Sequence, residues 1–194
     1  MPVDVDKAVS ALIARTRQVL GDRLPAELSD QEADASGHYP LPAPERYILG
    51  RVDTAEAFGR LNVDEVACWI TKAGAGDNQQ LFSGAADKRS ASQDVILRVG
   101  LVAKERAGAD IPPTLPDGTD LGRQLLEMEW NDQRAELYKG AIINALTRYL
   151  PDPDVAGEVE LAANGANGEV IENLGRAASA VVDIEITQDI LLHR

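Results

Sequence analysis

Two histidines, one cysteine and a surplus of acids are the residues through which this 194-residue chain could do chemistry. A histidine base needs a carboxylate that orients it and a reacting group within reach. His38 stands beside Tyr39 in a proline-rich stretch, His193 lies at the far end of the sequence, and neither has an acid at a telling spacing. Zinc asks for a cluster of imidazole and thiolate ligands, and no such spacing occurs. Cys68 sits between Ala67 and Trp69, so no basic neighbour lowers its pKa. It is expected to be a buried, reduced thiol that packs as a small apolar group.

The acid pairs fare no better as catalysts. Asp64-Glu65 are adjacent, and Asp183 and Glu185 fall on one parity of an alternating stretch without the apolar cover that raises a carboxyl pKa. Gly74-Ala75-Gly76-Asp77-Asn78 lacks the Lys and Ser or Thr of a phosphate-cradling loop, and no Asp-rich run matches a calcium loop. The sequence therefore predicts no catalytic, cofactor-binding or metal-binding residues, no cofactor and no enzyme.

Charge says more. Nineteen Lys and Arg against thirty-two Asp and Glu give −13, and residues 151–190 hold nine acids against one base, Arg176. Such a segment cannot bind nucleic acid by neutralising phosphates. It can repel nucleic acid from a channel wall, or it can simply keep a surface solvated. No apolar run approaches eighteen residues and no basic-then-apolar leader opens the sequence, so neither a membrane span nor a secretory signal is expected.

The elements that must position these residues follow from periodicity. In 94–104, Val95, Leu97, Val99 and Leu101 alternate with Asp94, Arg98 and Lys104; in 178–192, Ala180, Val182, Ile184 and Ile186 alternate with Asp183, Glu185, Thr187 and Asp189. Period-two alternation predicts strands with one apolar and one polar face, and pairs these two antiparallel. Shorter strands are expected at 46–52 and 63–71, the latter covered on both faces because both of its parities are apolar. Residues 79–92 read as a hairpin or loop. A helix is expected over 5–20, capped by Asp4 or Asp6 and stopped at Gly21, and another over 121–150 behind Thr119 or Asp120. Pro25, Gly37, Pro40, Pro42 and Pro44 predict a flexible loop or arm over 24–45. Pro112, Pro113 and Pro116 mark a second linker, and Pro151 and Pro153 end the later helix. Asn164-Gly165 and Asn167-Gly168 suggest two extended arms, 158–162 and 169–173, around a loop. The expectation is one α+β domain over 1–194, with an antiparallel sheet of about four or five strands, two or more helices and long Pro-rich loop arms.

That order of elements resembles the tail terminator family of long-tailed bacteriophages. The likeness lies in 46–71, ending Asp64-Glu65-Val66-Ala67-Cys68-Trp69-Ile70-Thr71; in the long strand 92–104; and in 175–192, where Ala177-Ala178-Ser179-Ala180 leads into Val182-Asp183-Ile184-Glu185-Ile186. The resemblance implies a structural virion protein at the head–tail junction, assembled in the host cytoplasm. It implies a ring, a homo-hexamer, that caps the tail tube and docks to neck and connector proteins. DNA would pass through without specific binding, and no membrane would be involved. Asp183, Glu185 and Asp189 would be candidate acids of the ring lumen or of an interface. The long arm at 24–45 and the segment 106–120 depart from the family pattern. They leave open a head-completion or stopper protein of the neck, or an acidic adaptor that recruits a basic partner.

Overall fold

The alternation at 94–104 and 178–192 marks the centre of the molecule's sheet. The computed structural model describes residues 5–49, 65–75, 89–104, 111–150, 157–171 and 175–192. In chain order these form α1 (Val5–Asp34), β1 (Tyr47–Leu49), β2 (Val66–Ala75), β3 (Arg89–Lys104), α2 (Arg123–Tyr149), β4 (Gly157–Ile171) and β5 (Gly175–Leu192). The sheet order is β1-β2-β3-β5-β4. β3 and β5 pair antiparallel from Arg89↔Leu192 to Lys104↔Ala177, with Val95↔Ile186, Leu97↔Ile184, Val99↔Val182 and Leu101↔Ala180 in register. The apolar parities meet each other, as a sheet with one buried face requires.

Both helices lie on that apolar face. Val66, Cys68 and Ile70 of β2 and Leu97, Val99, Leu101 and Ala103 of β3 share one core with α1 and α2. α1 contributes Val19, Leu20, Leu24 and Leu28, and α2 contributes Ala135, Tyr138, Ala141, Ile142, Ala145 and Leu146. Glu27, buried on α1, accepts from the Arg148 guanidinium of α2 at 3.0 and 3.3 Å. At the other end of the pair, Arg15 donates to the Tyr149 carbonyl at 3.3 Å, where α2 runs out of amide donors. A smaller cluster, Tyr39, Ile111, Leu126 and Trp130, packs beside the main core.

Several expectations are corrected. α1 does not stop at Gly21 but continues to Asp34 through Pro25, so 24–34 is helix rather than arm. Leu20, Leu24 and Leu28 recur at i, i+4 and i+8 and are all but fully buried. Burying three leucines at about 1.5–3 kcal/mol each offsets the roughly 3 kcal/mol of an interior proline and the roughly 1 kcal/mol of a glycine. The helix ends where Gly37, at φ 70°, donates its N–H to the Glu32 carbonyl at 2.8 Å, a Schellman-type closure. Asp6 lies inside α1; Asp4 is outside the described residues.

The sheet is mixed rather than wholly antiparallel, because β1 runs parallel to β2, Tyr47 opposite Cys68 and Leu49 opposite Ile70. β1 covers 47–49 of the expected 46–52, and 50–52 are outside the described residues. β2 runs on to Ala75, so Gly74 and Ala75 belong to a strand rather than to a turn; Gly76, Asp77 and Asn78 lie outside the described residues. Of the expected loop 79–92, residues 89–92 are the start of β3 and 79–88 are outside the described residues. β4 is one strand where two arms and a loop were expected. Its register passes from Ala163↔Val182 to Ala166↔Ala180, so Asn164-Gly165 are taken up in a one-residue bulge instead of reversing the chain. Glu172, Asn173, Pro151 and Pro153 are outside the described residues. α2 begins one residue past Gly122, whose N–H is accepted by the Asp120 carboxylate at 3.0 Å.

Candidate functional site

The register places the candidate acids together. Asp183 lies opposite Arg98 on β3, Glu185 opposite Ile96 and Asp189 opposite Ser92. All three fall on the parity of Arg98, Gly100 and Val102, away from the helix-covered parity of Leu97, Val99 and Leu101. β4 adds acids to the same parity, Glu160 opposite Glu185 and Glu158 opposite Thr187, and β3 adds Asp94 opposite Thr187. Six acids drawn from three neighbouring strands thus occupy one sheet face. Glu160 and Glu185 are directly opposed, an arrangement that costs stability through like-charge repulsion.

Toward β2 the same face turns apolar. Trp69 pairs with Gly100 and Ala67 with Val102, and all four are buried. The whole of Val66–Ile70 is buried, so the expectation of a strand covered on both faces holds. Gly100 is needed there: a Cβ at that position would stand 2.3 Å from the Trp69 indole carbons.

Cys68 is fully buried on the helix side, and burial pushes its thiol up from an ordinary 9.0 to about 12. A thiol held protonated is no nucleophile at neutral pH. Tyr47 is also raised, by burial first and then by the neighbouring Cys68, and its hydroxyl donates to the Leu20 carbonyl at 3.1 Å. His38 is exposed just past α1, on the wall of a cavity of about 190 Å³ that Pro112, Pro116 and Trp130 also line. His193 and Asp64 lie outside the described residues; Glu65 is half-buried beside β1. Among the described residues no three His, Cys, Asp or Glu side chains gather as metal ligands, and no helix is long and apolar enough to cross a membrane.

Two features escaped the sequence. The first is a clamp on the proline-rich segment. Arg134, fully buried on α2, donates to the Pro40 carbonyl at 3.2 Å and to Asn131 Oδ1 at 3.3 Å, with its guanidinium 5.3 Å from the Trp130 ring centroid. Glu32 accepts from the Leu41 amide at 3.2 Å, and the Tyr138 hydroxyl donates to the Pro42 carbonyl at 3.1 Å. Three successive residues of the supposed arm are thus tied to the two helices, and Tyr39 and Leu41 are buried. The helical spacing of Leu126, Trp130, Arg134 and Tyr138 was the available signal for this second buried stripe.

The second is a division of the exposed apolar side chains into two groups. Among the described residues the large ones are Ile48 and Leu49 on β1, and Leu125 and Met128 on α2. Beside Ile48 lies a cavity of about 340 Å³, lined also by Glu45, Arg46, Glu65, Val66 and Ala67. No protein-family model matches the chain, and no curated protein matches it.

Proposed function

We propose that the chain is a structural subunit of a tailed-bacteriophage head–tail junction, a tail-terminator-like protomer. Copies form a ring, a hexamer in this reading, that caps the tail tube and docks to neck and connector proteins while DNA passes. The observation that carries the reading is the acidic sheet face. Asp94, Glu158, Glu160, Asp183, Glu185 and Asp189 share a parity that the helices leave uncovered. Such a face turned to a lumen repels phosphates at short range and lets DNA slide. The element order α-β-β-β-α-β-β gives further support, since the resemblance rested on the same order with β4 in place of the polar arms.

Electron microscopy of the purified protein, alone and with cognate tail tubes, tests the proposal. Rings on tube ends are expected, and a monomer in both settings overturns it. The triple variant Asp183→Lys/Glu185→Lys/Asp189→Lys should make the ring retain DNA at low salt and release it as salt rises. Unaltered DNA passage through rings of this variant would remove the acids from the lumen.

A further inference from the structure

We infer that the α2 surface bearing Leu125 and Met128 docks into the cavity beside Ile48 of a second copy of this chain, head to tail. The inference rests on the ring reading above for its closure and on the described surface for its contacts. Leu125 is 57% exposed, Met128 43%, Ile48 45% and Leu49 49%. Leu125 and Met128 are three residues apart on a helix, so they stand on one face as a pair of apolar projections. That face is set apart from the buried stripe of Leu126 and Trp130.

The other group is concave. The cavity of about 340 Å³ has Ile48, Val66 and Ala67 as its apolar lining and Glu45, Arg46 and Glu65 as its charged members. It adjoins β1, the edge strand of the sheet. Edge strands are surfaces that proteins cover or pair. The charges match as well. Arg46 and Glu45 are exposed at the cavity, while Glu129 and exposed Arg123 flank Leu125 on α2. An apolar projection with an acid and a base beside it therefore meets an apolar recess with a base and an acid beside it. The two surfaces are on different elements, so the contact is heterologous, and repetition of a heterologous contact closes a ring or extends a filament.

The test uses the full-length chain and two variants, Ile48→Glu and the double variant Leu125→Glu/Met128→Glu. Both change only exposed side chains, and circular dichroism and melting temperature should match the wild type. Mass photometry should find assemblies for the wild type and monomers for each variant. A one-to-one mixture retains one intact recess and one intact projection, so it should yield heterodimers and nothing larger. Arg46→Glu should weaken assembly at least tenfold, and adding Glu129→Arg should restore it. Wild-type rings alongside unimpaired variants would overturn the docking and leave the ring reading standing. A wild type that stays monomeric, free and on tubes, would overturn both. Loss of assembly in the α2 variant alone would show a symmetric α2 contact, which also overturns the inference.

Discussion

At Gly100 the sheet has no room for a methyl group, since the Trp69 indole occupies the space a Cβ would need. Gly100→Ala should cost about 1–3 kcal/mol, the usual range for overpacking a filled interior. Trp69→Leu removes the opposing ring, so the double variant should be more stable than the sum of the two losses. Urea denaturation of the four proteins measures that coupling, and strict additivity would place the indole elsewhere. Cys68 offers a second residue-level check through pH. Its folded-state pKa is raised to about 12, so the protonated thiol favours the folded state. The contribution is complete below the unfolded value near 9.0 and is lost as pH climbs from there toward 12, at about 1.4 kcal/mol per pH unit. Cys68→Ala should therefore lose less stability than the wild type between pH 9 and pH 11, although it is less stable at pH 7.

Among the elements, the proline-rich segment changes character most. A mobile arm would tolerate deletion of 28–42, but Leu28, Tyr39 and Leu41 are buried and three consecutive residues are tied to α1 and α2. That deletion should unfold the protein. A milder probe is Tyr138→Phe, which removes the donor to Pro42 and should cost about 0.5–1.5 kcal/mol by thermal or urea denaturation. On β5, Ile184 shares register with buried Leu97, so Ile184→Ala should cost roughly 2–5 kcal/mol. Replacing Asp183, Glu185 and Asp189 with Asn, Gln and Asn should be neutral or slightly stabilising at low salt, because Glu160 stands opposite Glu185. High salt should abolish the difference.

These elements also show where the sequence is legible. Val95 to Leu101 and Ala180 to Ile186 alternate without interruption, and their registry follows from matching the apolar parities. Gly21 and Pro25 are local stop signals that shorten α1 on paper, whereas what carries the helix onward is tertiary burial of Leu24 and Leu28. Asn164-Gly165 fits a reversal as well as a bulge, and only the β5 partner decides that β4 is one strand. The acid triad is legible as a parity. The company it keeps on β4 and β3 is not, since neighbours across a sheet are set by strand order.

For the molecule as a whole, the sheet order has a consequence for synthesis. β3 occupies the middle of the sheet, yet one of its two neighbours is made only after α2 and β4: Lys104 waits for Ala177, and Arg89 for Leu192. Until then β3 exposes an unpaired edge, and Leu97 and Leu101 have partners on one side only. At about 5–20 residues per second, the ribosome holds the chain in this state for several seconds. Nascent chains stalled with residue 174 just clear of the exit tunnel should be sensitive to protease and bound by holdase chaperones. Chains stalled with residue 192 clear of it should become resistant in one step. Folding of this protein is in that sense an act of release, timed by the arrival of one strand rather than by steady growth of the chain.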